Sequence, residues 1–177
     1  MSRWILIFAG VLTLLAGCKS MSLVKTTAVA TLVATSGSKV SGGVTFAQRG
    51  DAVLVEADIA GLSPGAHGFH IHEKGDCRAA DGMSAGGHFN PEGAVHGGPN
   101  GSSRHAGDMG NLIADASGHA LYSAELKGVS LGADASSIIG RAVIVHAGAD
   151  DLTTQPTGGS GARLACGLIG KKPDKIF

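Results

Sequence analysis

The chain has 177 residues, 14 Lys+Arg against 14 Asp+Glu, 29 Gly, 44% hydrophobic and 16% charged residues. That is the length of one domain; zero formal charge without a basic block excludes a nucleic-acid reader, and the apolar content excludes a disordered chain. With aromatics at 4%, the core must come from Val, Ile, Leu and Ala, and the glycines imply many turns, which favours an all-β fold.

Arg3 is followed by the apolar run Trp4 to Ala16, interrupted by Gly10 and Thr13. The run is too short to span a bilayer as a stable helix and has the form of a signal-peptide h-region. It ends in Leu15-Ala16-Gly17-Cys18, where small residues before a cysteine resemble a bacterial lipobox. Residues 1–17 are therefore expected to be a lipoprotein signal peptide, Cys18 the lipid-bearing N-terminus, 18–24 a tether and 25–177 the folded domain. The expected location is outside the cytoplasm, lipid-anchored on the periplasmic side of the envelope. Lys19 after the cysteine favours the outer membrane if the source is Gram-negative. Export in turn reads Cys77 and Cys166 as a disulfide, since thiols oxidise in that compartment.

From Lys25 onward the chain breaks into short alternating segments. Thr26 to Val33 is the first expected strand. Val44-Thr45-Phe46, a turn at Arg49-Gly50-Asp51, and Val53 to Ile59 form a hairpin signature. His67 to His72, Gly110 to Ala114, Ala120 to Leu126, Ile138 to His146 and Leu164 to Ile169 complete eight strands, with no convincing helix. Breaks at Ser36-Gly37-Ser38, Gly61 to Gly65 and Asp115 to Gly118 carry turn chemistry. The economical architecture is an eight-stranded Greek-key flattened barrel or β-sandwich. Two segments, Glu73 to Arg104 and Ala147 to Ala162, are longer than ordinary connections and are expected to be functional loops.

Those loops and the strand ends beside them hold most of the eight histidines. His70 and His72 stand at i and i+2 on one strand, so both rings leave the same face, while His67, Phe69 and Ile71 point to the other. This is a chelating pair. His88, His96, His105 and Asp108 follow in and just after the first long loop, and His146 closes a strand. Imidazoles with one carboxylate suit borderline metals such as copper and zinc. Six histidines and one aspartate are one donor short of two four-coordinate sites, and a ring binding through both nitrogens would close the count. Counting does not choose which ring.

Gly68-Phe69-His70-Ile71-His72, Gly87-His88-Phe89-Asn90-Pro91, His96-Gly97-Gly98-Pro99, Arg104-His105-Ala106-Gly107-Asp108-Met109-Gly110-Asn111 and Gly161 to Gly167 together resemble the copper/zinc superoxide dismutases, in order, from about residue 25 to 170. The resemblance implies copper on His70, His72, His88 and His146, and zinc on His88, His96, His105 and Asp108. His88 is then the shared, bridging ring and also a catalytic group. It further implies Asp150 as the carboxylate linking ligands of both metals, and Arg163 as the catalytic arginine beside the open copper position. His67 and His119 are left as a structural histidine and a turn residue.

The activity implied is dismutation of superoxide to O2 and H2O2 by alternate reduction and oxidation of copper. Residues 147–162 contain Asp150 and Asp151 but no Lys or Glu, so the charged steering group of animal members is absent there, and Lys74 resembles the bacterial replacement. A non-catalytic copper-binding homologue is the alternative. Ile138-Ile139-Gly140-Arg141 resembles a stretch used in the eukaryotic dimer, although Lys171-Lys172-Pro173 replaces the apolar end expected there. A homodimer is the expectation.

Overall fold

A computed structural model describes residues 27–172. The expected signal segment, Cys18 and the tether lie outside the described residues. Nine strands follow in chain order: β1 (Thr27–Ala34), β2 (Ser41–Arg49), β3 (Ala52–Ala60), β4 (Gly65–His72), β5 (Asp108–Ala114), β6 (Ala120–Lys127), β7 (Ala142–His146), β8 (Arg163–Leu168) and a two-residue β9 (Gly170–Lys171). Among the described residues the one helical element is a 3-10 turn at Met83–Ala85.

Alternation makes the long hairpin. In β3, Val53, Val55, Ala57 and Ile59 are buried, whereas Glu56 and Asp58 are exposed. The partner β2 pairs with it antiparallel from Ser41↔Ala60 to Arg49↔Ala52. All strand pairings are antiparallel, in the order β5-β4-β7-β8-β1-β2-β3-β6, with β9 beside β1. The two ends of this path meet: the Tyr122 hydroxyl of β6 donates to Met109 O of β5 at 2.9 Å, and the ring packs edge-on against Phe69 at 5.3 Å between centroids. The result is a nearly closed Greek-key barrel filled by Phe46, Ile59, Phe69, Ile71, Leu112 and Ile138 among others.

One expected strand is shorter than anticipated. Ile138 to Arg141 is not part of β7 but a turn, with the Ile138 N–H donating to Ser130 O and the Arg141 N–H to Ile138 O. The apolar run misled because Ile138, fully buried, packs into the barrel core from a connection and not from a strand face. The short β9 has no sequence signal of its own; it follows β8 and takes the free edge of β1 at Ala28 and Val29.

The long segments are 73–107, between β4 and β5, and 147–162, between β7 and β8. They cover the outer face of β4, β7 and β8, the face away from the main core. Ala85 of the first segment joins Ala142, Ile144 and Cys166 of the strands in a second apolar cluster, with Cys77 packed against it. Cys77 and Cys166 are joined by a disulfide, 89 residues apart in sequence. It fastens the start of the first loop to β8.

Candidate metal centre

Two places where the strand register shifts organise the site. In the β4/β5 pair the shift between Gly68 and His70 sets His70 opposite Asp108, and in the β7/β8 pair the shift at Val145 sets His146 opposite Arg163. Bulges of this kind re-aim side chains and recur beside functional sites. Beyond the first shift β4 changes partner: Phe89 N–H donates to Ile71 O, Ile71 N–H to Gly107 O, and Gly107 N–H to Phe89 O, all at 2.8–2.9 Å. Gly107 has to be glycine there, since a Cβ would stand 2.2 Å from Ile71 O. This ladder carries His88 to an isolated bridge with His72.

The structure brings seven of the expected residues into two groups that share His88. His70, His72, His88 and His146 form one; His88, His96, His105 and Asp108 form the other; within each group the donor atoms lie within 4.8 Å of one another. All seven are buried, with His70, His72 and Asp108 at 0% exposure. His70 and His72 do leave the same face of β4, their ring centroids 6.4 Å apart, while Phe69 and Ile71 enter the main core.

In the first group each ring has one engaged nitrogen, which leaves the other free to bind a metal; the engaged nitrogen of His88 faces the second group. His70 Nε2 lies 2.8 Å from Asp150 Oδ2, His72 Nδ1 2.9 Å from Gly86 O, His88 Nδ1 2.7 Å from Asp108 Oδ1, and His146 Nδ1 3.2 Å from Gly161 O. The opposite nitrogens, His70 Nδ1, His72 Nε2, His88 Nε2 and His146 Nε2, are buried without any hydrogen-bond partner. Leaving a buried polar atom unpaired costs about 1–3 kcal/mol. Four such atoms converging on one point are costly unless something binds them together, and this donor set fits a borderline metal ion.

In the second group the atoms crowd around Asp108. His96 Nδ1 is 3.0 Å and His105 Nδ1 3.3 Å from its carboxylate, and His105 Nδ1 is 3.4 Å from His88 Nδ1. Three ring nitrogens and one carboxylate at these separations suit tetrahedral zinc, whose bonds of about 2.0–2.2 Å place neighbouring donors a little over 3 Å apart.

Electrostatics agrees with ligation by neutral rings and an ionised carboxylate. Burial holds the His70 and His72 pKa values well below the usual imidazole range, reinforced by the neighbouring His88, and burial brings His146 down to about 4. His105 is also lowered by burial. Burial acts the other way on Asp108, yet hydrogen bonds from His88 and the Gly97 N–H bring it down to about 2.

Asp150 spans both groups: besides His70, its Oδ1 lies 2.9 Å from His96 Nε2. Its own backbone is gripped at both ends by the Asn111 amide, at 2.8 and 2.9 Å. Arg163 is half-buried and donates to Gly82 O at 2.7 Å and Gly86 O at 2.6 Å. Gly86 O therefore receives both Arg163 and His72. Lys74 is exposed. His67 is buried and bonds the His146 carbonyl through Nδ1 at 2.8 Å, a structural contact, while His119 stands in the β5–β6 turn, 2.8 Å from Asp58. Nothing in the sequence marks Asn111 or the Gly86 carbonyl for these roles, because an amide and a main-chain oxygen carry no periodicity.

Such a barrel, with two buried donor groups fused through one imidazole, is a scaffold for a pair of borderline metal ions. The family description copper/zinc superoxide dismutase (SODC) matches residues 40–169. The extracellular superoxide dismutase [Cu-Zn] of Caenorhabditis elegans is 44% identical over 142 residues, which cover 77% of this chain and 63% of that protein. The chain thus spans under two thirds of that relative's length. It belongs to the copper/zinc superoxide dismutase family.

Proposed function

We propose that this chain dismutates superoxide: two superoxide anions and two protons give one O2 and one H2O2. Copper would be held by His70, His72, His88 and His146, and zinc by His88, His96, His105 and Asp108. The observation that carries this reading is the convergence of four buried, unpartnered ring nitrogens next to a second donor group built on the same His88. When bound, copper supplies the one-electron chemistry, whereas zinc has no second accessible oxidation state and serves to hold the shared ring.

The chain's own residues do the rest. His88 can hold a proton at Nε2 while Nδ1 stays engaged by the second group, so one ring links ligation to proton delivery. Asp150, bonded to His70 and His96, keeps both rings aimed. Arg163 is the anion-orienting group: two carbonyls fix its fork, it stays charged at any physiological pH, and it follows the 147–162 segment on β8, opposite His146. A non-catalytic copper carrier would have no use for a guanidinium fixed there. Lys74, exposed near the start of the first loop, is the longer-range steering charge.

With both metals retained, Arg163→Glu should lower the dismutation rate on the order of 100-fold, and Arg163→Lys considerably less, since it keeps charge and loses only the fork. Measured against ionic strength, a Lys74→Glu loss should be largest at about 0.01 M and fade by about 0.15 M as the Debye length shrinks from about 30 to about 8 Å. Full activity in Arg163→Glu would place the reaction elsewhere.

We further propose an exported, lipid-anchored member of the bacterial lipoprotein type, with residues 1–17 removed and Cys18 acylated. The lipobox-like Leu15-Ala16-Gly17-Cys18 supports this. The N-terminal peptide of membrane-fraction protein should carry the lipid mass on Cys18; an unmodified N-terminus in wholly soluble protein would end the idea. A homodimer remains part of the proposal, resting on the stretch Ile138 to Arg141.

A further inference from the structure

Residues 147–162 lie over the His96 group, and Asp150 is not their only attachment. Gln155 turns its side-chain amide onto the main chain of His96: Oε1 accepts the His96 N–H at 2.8 Å, and Nε2 donates to His96 O at 3.0 Å. The remaining Nε2 hydrogen goes to Thr153 O at 3.1 Å. One side chain thereby satisfies both backbone polar groups of a ligand-bearing residue that sits in irregular structure, 59 positions away.

A second observation lies beside it. Leu152 is the one non-glycine with positive φ among the described residues, at 65°, in the left-handed region that residues bearing a side chain rarely adopt. Its N–H donates to Asp150 Oδ1 at 2.7 Å, and its side chain lies against Gly98, where even an added Cβ would come within 3.3 Å of it. The segment 150–155 thus grips 96–98 at three points: Asp150 on the His96 ring, Gln155 on its backbone and Leu152 on Gly98. With ring and main chain both fixed, Nδ1 of His96 has little freedom to swing away from Asp108.

We propose that Gln155 is a positioning residue for the zinc-side group, setting how long zinc is retained and tying that retention to the seating of the loop that leads into Arg163. The inference rests on the reading of His96 as a zinc ligand. Asp150 alone would fix a ring on a backbone free to shift; the amide removes that shift.

The test uses the full chain loaded with copper and zinc, in wild-type, Gln155→Met and Gln155→Glu forms. Zinc release into excess chelator is followed, together with the visible spectrum after cobalt replaces zinc. Release from Gln155→Met should be about tenfold to a hundredfold faster, the range seen when partners of ligands are lost, with a changed cobalt band and an unchanged copper spectrum while zinc is saturating. Gln155→Glu keeps the acceptor but aims a carboxylate oxygen at two carbonyls, so it should be no slower than Gln155→Met. Equal release and equal cobalt spectra in all three forms would overturn the proposal. So would copper loss accelerating as much as zinc loss, which would mark a general loosening. One zinc per chain in the wild type is the control on the underlying reading; a wild type that binds none would remove the ligand role of His96 and this inference with it.

Discussion

Four of the candidate ligand rings, His70, His72, His96 and His146, are each anchored through one nitrogen, which aims the other at the metal group. His70 and His96 reach the two oxygens of Asp150, and the backbone packs close around that contact. At Gly158, φ is +68° and a Cβ would stand 1.8 Å from Asp150 Oδ1 and 2.7 Å from His96 Nε2. Gly158→Ala must therefore shift the carboxylate or the loop. We expect a loss of at least about 1–3 kcal/mol in denaturant unfolding of the metal-loaded protein, accompanied by weakened zinc binding; unchanged stability and zinc content would show that the Asp150–His96 contact is not built as described. At this scale the histidines were legible because chelating pairs and clusters have a spacing. Asn111 and Gln155 act on backbone far away in sequence, and nothing in their local surroundings announces it.

Among the elements, β4 does the most. Its alternation sends Phe69 and Ile71 inward and His70 and His72 outward, and that pattern was readable in the sequence; the shifts that set His70 opposite Asp108 and His146 opposite Arg163 were not, since a bulge changes pairing without changing composition. The apolar run from Ile138 was readable only as apolar, and its split into a buried turn and β7 depends on tertiary packing. The seam between β5 and β6 offers a pH test. Tyr122 is the only tyrosine, and burial pushes its pKa up to about 12, against about 10 in an unfolded chain. Because the folded value is raised, the stability it contributes is fully present below about pH 10 and is lost as pH rises through about 12. Phenolate absorbance should accordingly stay low to well above pH 10 in the folded protein. Ordinary titration near 10 with the barrel intact would mean that the Tyr122–Met109 seam is open.

The described residues form a barrel with two loops packed onto one outer face, and the disulfide fixes the first of them to β8. Closing 89 residues corresponds to about 4.6 kcal/mol in the chain-entropy model, an upper-end figure, and the tie runs from the head of the loop bearing His88 and His96 to the strand bearing Arg163. Fold class, both loops and the seven candidate ligands could be read from the order of strand signals, glycines and histidines; their division into two groups sharing His88 followed only from the resemblance to the copper/zinc superoxide dismutases, and which carbonyls hold Arg163 and which amide holds His96 needed three dimensions. We propose that the two groups sharing His88 hold copper and zinc and that this pair turns over superoxide. Metal analysis and dismutation rate measured on one purified sample decide this. One copper and one zinc per chain are expected, with activity proportional to copper content across partly loaded samples. Activity independent of copper, or full occupancy of both metals with no dismutation, would contradict it.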